Sequence, residues 1–350
     1  MSFKKIVALV LVFAVLAVAG TAFAADVKIG VVTPDADHGF TGESVAHARA
    51  ELEKEAKDRG FEYKFEVGGE AQKQIDAIDT ILAWQPNVII LWPIEGQQLK
   101  NEAQKIMDAG VQLIIYDRLI DGFTPTAQIM GDNETIGHDM GKYLMTYFGD
   151  TPVNYLRFIG DSSTVSVQRS KGMDDEIATA GKTAQFKQLQ DDFLTNWSNA
   201  TAQEQMENWL NTSDKATIES LNCIVTHDDE VVDGVVVALQ NYFDSNPAAK
   251  LGVKLITSVG GRRETLSTFF NDDNTEKTVA GGMEIDTYYF SPSYIREAIK
   301  LGVAAAYGEQ YDKTDIKDGH LFLIPTKEIN KDTVADYRAS QDFADRYSIQ

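Results

Sequence analysis

The sequence predicts an α/β protein of two similar, doubly wound parallel-sheet domains facing each other across a cleft. Three observations predict it. Residues 27–116 alternate short apolar strands with longer helical stretches, the pattern of βαβ units and a parallel sheet. Residues 153–258 run through the same order a second time. The chain has 350 residues, more than one domain usually holds, and 43% of them are hydrophobic, enough for two cores.

The elements follow in order. Residues 1–24 stand apart. Lys4 and Lys5 make a basic start, Ile6 to Ala19 an apolar run and Ala22-Phe23-Ala24 a small-x-small cleavage site. That reads as a cleaved signal peptide rather than an uncleaved anchor and is set aside from the fold; a soluble exported protein is expected, which in a Gram-negative cell means the periplasm. The apolar run is short for a membrane span.

The first domain's strands are Val27–Val32, Tyr63–Val67, Asn87–Leu91 and Val111–Tyr116. Between them lie helices over Ser44–Asp58, Ile75–Ala83 and Leu99–Ala109, stopped by Gly60, Pro86 and Gly110. A short strand near Ala127–Met130 leads through Gly131–Glu134 into the second domain. Its strands are Val153–Ile159, Thr183–Leu189, Asn222–Val225 and Val253–Ile256, with helices over about 168–180, 200–211, 230–244 and 262–270. A strand over Thr278–Ile285, a helix over Ser293–Tyr307 and a late strand over Leu321–Pro325 come next. A final amphipathic helix over Thr333–Tyr347 packs on the surface. The expected division is 25–132 with 287–324 for one domain and 133–286 with 325–350 for the other. Three crossings make a hinge rather than a tether.

Composition excludes several functions. Net charge is −21, or −23 without Lys4 and Lys5. Nucleic acid and anionic lipid need a basic surface, so neither is an expected partner. A small anion is still admissible, because a local Arg cluster can oppose the global field. The single cysteine, Cys223, permits no disulfide within the chain and sits in an apolar strand as a small core residue. There is no G-x-G-x-x-G, P-loop or G-x-S-x-G. The five histidines show no ligand spacing, and acidic residues 271–276 lack the glycine of a calcium loop. No cofactor, metal or catalytic residue is expected.

Ligands of open α/β sheets bind outside the carboxyl ends of the strands. The loop after the first strand carries Asp37, His38 and Phe40. Phe40 can cover a ligand's apolar face or staple the core. Asp117-Arg118 ends the fourth strand, where it can hydrogen-bond vicinal hydroxyls or be a surface ion pair of little worth. Arg169 opens the helix after the first strand of the second domain. Trp197 lies in a loop, where stacking on a ring explains it better than core packing. Met206 and Trp209 occupy helical core positions. After the third strand of that domain, Asp229 is expected to cap the next helix and leave Asp228 facing the cleft.

In this order, these positions resemble the type I periplasmic sugar-binding proteins, the ribose, xylose and glucose/galactose group. The resemblance covers nearly the whole chain after residue 24. Asp37-His38-Gly39-Phe40 matches that family's polar, aromatic first loop. Asp117-Arg118 matches its Asp-Arg, Asp132-Asn133 its hinge pair, and Arg169-Ser170-Lys171-Gly172 its Arg before a helical Gly. Trp197, Met206 and Trp209 match the spacing of its galactose-type Trp, and Asp228-Asp229 its Asn-Asp pair. The resemblance implies a periplasmic solute receptor that closes on a monosaccharide-like ligand and presents it to the membrane permease of an ABC importer. Phe40 and Trp197 would sandwich the ring, and Asp37, Asp117, Arg118, Arg169 and Asp228 would bind hydroxyls. The sequence departs from the family in three places. Gly260 stands where the family has an Asp, with Arg262 as a substitute donor. Asp228 replaces an amide. The last amide contact falls near Glu284–Asp286, taken here as Glu284. The sugar, polyol, sugar acid or furanosyl signal molecule stays open. So does a purely sensory receptor feeding a chemoreceptor or sensor kinase. An exported carbohydrate-active enzyme is the rival of another class, and it lacks an evident nucleophile or acid–base pair.

Overall fold

Parallel strands buried on both faces read as unbroken apolar runs, and Val88–Leu91 is buried at every residue. The computed structural model describes residues 27–35, 39–249, 252–311, 315–317 and 319–349. The expected signal peptide and the candidates Asp37 and His38 lie outside the described residues.

The strands are β1 (Lys28–Thr33), β2 (Glu62–Val67), β3 (Val88–Leu91), β4 (Gln112–Tyr116), β5 (Ala127–Gly131), β6 (Val153–Ile159) and β7 (Phe186–Gln188). They continue with β8 (Phe193–Leu194), β9 (Cys223–Thr226), β10 (Leu255–Gly260), β11 (Glu284–Tyr289), β12 (Asp315–Lys317), β13 (Leu321–Ile324) and β14 (Glu328–Ile329). One sheet has the order β12-β13-β5-β4-β3-β1-β2. The other has the order β14-β11-β10-β9-β6-β7, with β8 also on β6. All ladders are parallel except β12–β13 and β11–β14. The chain therefore passes between sheets after β5, after β11 and after β13.

One apolar cluster runs from β1, β3 and β4 into the core of the second sheet. A second fills the other side of the first sheet, under the helices Ala71–Ala83 and Lys100–Asp108. Met206 and Trp209 are buried on the Asn199–Thr212 helix and Cys223 on β9, as their spacing implies.

Four details differ from the sequence reading. The strand expected over Thr278–Ile285 begins at Glu284, because Gly281-Gly282 forms a turn, both at positive φ. That strand also runs past residue 286. Thr287–Tyr289 keep their ladder with Ser258–Gly260, so the second crossing follows Tyr289. The strand expected over Thr183–Leu189 shortens to β7 after a single helical turn. The final helix is two, Val334–Arg338 and Gln341–Arg346, with Ser340 capping the second by accepting from Phe343 N. It is also more than a surface element, since Arg346 is buried.

Candidate functional site

The carboxyl ends of both sheets face one cavity of about 590 Å³, counted to its mouth. Its lining comes from residues just beyond strand ends: Trp92 after β3, Asp117 and Arg118 after β4, Trp197 after β8, Asp228 after β9, Arg262 after β10 and Phe290 after β11. Phe40 and Thr41 enter from the first turn of the Gly39–Arg59 helix, and Arg169 from the Thr164–Thr179 helix.

Arg169 is the most buried charge of the cavity, 2% exposed. Helix packing puts it there. Gly172 lets the Thr164–Thr179 helix press on the Asn133–Phe148 helix, where an added Cβ would meet Glu134 O at 2.5 Å. Contact at this distance brings Arg169 Nε to Asn133 Oδ1 at 2.8 Å, and Nη1 donates to His227 O at 2.6 Å. The guanidinium lies over the Phe290 ring at 4.7 Å, a favourable cation–π distance. Burial pulls its pKa down to about 10, opposed by the carboxyls of Asp117 and Asp228.

Asp117 is buried with φ +66°, an uncommon conformation for a residue with a side chain, though one that Asp adopts more readily than most. Burial raises its carboxyl, against Arg118 and Arg169, which lower it. Its neighbour Arg118 turns to two other partners: it donates to Ile94 O and, at 3.0 Å, to Asp161 Oδ2. Asn196 and Trp197 also have positive φ, +50° and +60°. Strain of this kind gathers at functional sites because surrounding contacts must hold it. Trp197 is half-buried, and its indole Nε1 donates to Asp161 Oδ2 at 3.0 Å.

On the remaining wall, the helix cap falls on Asp228 and not on Asp229 as expected. Asp228 caps the Asp229–Ser245 helix by accepting from Glu230 N at 2.7 Å. Asp229 is fully buried and accepts from Ser258 Oγ at 2.6 Å, Arg262 N at 2.6 Å and Thr287 Oγ1 at 2.9 Å. The cause is register, since β10 and β11 bring two hydroxyls to Asp229 and leave Asp228 at the helix mouth. Asp228 still lines the cavity, and burial, with Glu230 and Asp229 beside it, raises its pKa to about 8. Arg262 lines the cavity too, with Nη1 on Asp233 Oδ2 at 3.0 Å. Gly260 offers the ligand no side chain, and Arg346 Nη1 donates to its carbonyl and to that of Phe290, both at 3.1 Å.

Seven expected residues thus meet in the cavity: Phe40, Asp117, Arg118, Arg169, Trp197, Asp228 and Arg262. Glu284 does not join them. It stands at the amino end of β11, opposite the cleft, bonded to Tyr147 Oη at 3.0 Å and Lys331 Nζ at 2.9 Å. The late start of β11 causes the error: a strand placed over Thr278–Ile285 ends where the real one begins. Sequence reasoning missed Trp92, Phe290, Glu230, Asp161 and Arg346. The first two directly follow buried strands, so the strand-end rule could have found them. Arg346, 3% exposed, has no local signal, because the C-terminal helix must fold back to place it. Among the described residues, no His, Cys, Asp and Glu cluster could hold a metal ion.

Residues 29–309 match the model of the family described as periplasmic binding protein domain. The D-xylose-binding periplasmic protein of Escherichia coli (strain K12) is 22% identical over 285 residues, 77% of this chain and 77% of that protein. A solved galactofuranose binding protein superposes with a TM-score of 0.72 at 18% identity, covering 92% of this chain and 99% of that one. The periplasmic binding protein of the arabinose ABC transporter from Shewanella sp. ANA-3, bound to L-arabinofuranose, superposes with a TM-score of 0.69 at 21% identity. It covers 91% of this chain and 96% of its own. These structures share the two-domain fold.

Proposed function

The chain belongs to the periplasmic binding protein domain family, and we propose that it captures a neutral, monosaccharide-like ligand in the interdomain cleft for delivery to an ABC importer. The observation that carries the ligand class is the charge pairing of the cavity. Arg118 is paired with Asp161, Arg262 with Asp233 and Arg346 with Glu43. Arg169 donates to an amide and a carbonyl, and Asp117, Asp228 and Glu230 also line the space. The cavity therefore has no surplus of positive charge for a sugar acid. It has instead mixed donors and acceptors, suited to hydroxyls, beside aromatic rings suited to the C–H faces of a sugar. Phe40, packed on Trp92 and Phe290, borders one side and Trp197 another. Sugar ligands on the structural neighbours support the same class.

The family's role in solute capture supports a receptor rather than an enzyme, and a site of action in the periplasm, as for the D-xylose-binding relative. The test is a thermal-shift screen of D-xylose, L-arabinose, D-ribose, D-galactose, D-glucose, myo-inositol, D-galacturonate and a set of amino acids, followed by calorimetry. Neutral sugars or cyclitols should raise the melting temperature. Stabilisation by amino acids with no response to any polyol would sink the proposal, and preference for galacturonate over galactose would overturn its neutral-ligand part.

A further inference from the structure

We propose that Asp161 is a positioning residue that joins the two walls of the cleft, orienting the Trp197 ring and holding Arg118 as an interdomain clasp instead of a ligand contact. The inference rests on the cleft being the binding site proposed above. Asp161 lies two residues beyond β6, at the carboxyl end of an interior strand of the second sheet. One oxygen, Oδ2, accepts from Trp197 Nε1 and from Arg118 Nη2, each at 3.0 Å. The other, Oδ1, accepts from Ser163 N at 2.9 Å and fixes the carboxylate to its own loop. A carboxylate has about four lone-pair sites, so one group can serve donors from three directions.

Those donors come from different domains. Trp197 and Ser163 belong to the β6–β8 side, whereas Arg118 follows β4 of the first sheet. Arg118 is also tied to its own domain through Ile94 O. Its guanidinium is thus spent on a carbonyl of one domain and a carboxylate of the other. An adjacent bond joins the same two segments, Leu119 N to Thr164 Oγ1 at 3.0 Å. Charge-assisted bonds of this type are stronger than neutral ones, and the partial burial of both partners limits their screening.

Trp197 needs such an anchor. It sits at positive φ in a loop, and its ring lies on Gly160, where an added Cβ would meet the ring at 2.0 Å. Its main-chain N–H bonds Thr195 Oγ1 at 3.2 Å. Gly160 supplies the floor and Asp161 the hook that sets the ring's rotation about the loop.

The test begins without ligand. In isotope-labelled protein, the Trp197 indole N–H resonance is assigned with Trp197→Phe. Asp161→Ala should move that resonance strongly, and Asp161→Asn, which keeps an acceptor oxygen, should move it less. Affinity is then measured for whichever screened sugar the wild type binds most tightly, in Asp161→Ala, Arg118→Gln and the double variant. A clasp predicts a loss of about tenfold or more in each single variant, the scale of one charged hydrogen bond. It predicts little further loss in the double, because the two residues act as one unit. An unmoved indole resonance, or losses that multiply in the double variant, would overturn the inference. If Asp161→Ala does not fold, Asp161→Asn takes its place in the cycle. If the wild type binds no screened sugar, the proposed function falls. The indole resonance then still decides the orienting role, and its response to Arg118→Gln decides the clasp.

Discussion

Trp197 and Trp209 separate ligand recognition from scaffold, and replacing each with alanine should give opposite results. Trp209 is 5% exposed on the Asn199–Thr212 helix, inside the large apolar cluster. Truncating it leaves a cavity among fixed neighbours, at a cost of ~3–5 kcal/mol in stability. Trp197 is half-buried at the cavity wall. Its removal deletes one hydrogen bond to Asp161, which keeps Arg118 and Ser163 as partners. That should cost stability about 1 kcal/mol. Alanine at φ +60° keeps the backbone strain, so no relief offsets it. As an aromatic anchor, Trp197 should contribute ~2 kcal/mol or more to binding, roughly a 30-fold rise in Kd on its loss. Denaturant melts and titration calorimetry on both variants, with a sugar from the screen, measure the two axes. If Trp197→Ala binds as tightly as wild type, or Trp209→Ala melts unchanged, the division between site and scaffold is wrong.

Three further outcomes follow from the geometry. Gly172→Ala should destabilise the fold by ~1–3 kcal/mol through overpacking against Glu134 O, and should weaken ligand binding as Arg169 shifts; melts and calorimetry on one sample check both. Asp228 has its pKa raised from an ordinary 3.8 to about 8, so between those values the folded state holds a proton that the unfolded state has released. The contribution of Asp228 to stability should therefore fall as pH rises from about 4 to 8, and Asp228→Asn should remove that part of the pH dependence in denaturant melts taken across the range; Asp117, Asp233 and Asp286, also raised by burial, act in the same direction, and His47 and His227, lowered by burial, act against it. Glu284→Gln should leave ligand affinity unchanged in calorimetry, because that carboxyl sits at the far end of β11.

Several residues show why part of the site was readable along the chain. Asp117, Arg118 and Asp228 each follow a buried apolar strand within three residues, so a local pattern already placed them at one sheet edge. Arg169 is unremarkable alone and was legible only through the resemblance, as the Arg before a helical Gly; the close packing at Gly172 that buries it appears only in the structure. Glu284 was misplaced because Thr278–Ile285 looks like a strand until the Gly281-Gly282 turn and the pairing with Leu255–Gly260 are known. The cap was assigned to Asp229 instead of Asp228 for a similar reason. Either carboxylate can cap a helix, and only hydroxyls from Ser258 and Thr287, on two other strands, select Asp229 for the interior.

By itself, the sequence determined the repeated α/β architecture, its three crossings between two sheets and several of the strand-end loops that meet at the cleft. Those depend on hydrophobic periodicity and on strand ends, which are local properties of the chain. Tertiary structure alone decided the partners. Asp161 drawing Arg118 and Trp197 together, Arg346 returning from the last helix to the Gly260 and Phe290 carbonyls, and Glu284 pairing with Tyr147 and Lys331 away from the cleft all join residues 36 to 137 positions apart. A charged side chain has many satisfactory partners in sequence terms. Which one it takes is set by the packing that brings them within hydrogen-bonding distance and by the desolvation that penalises any left without one.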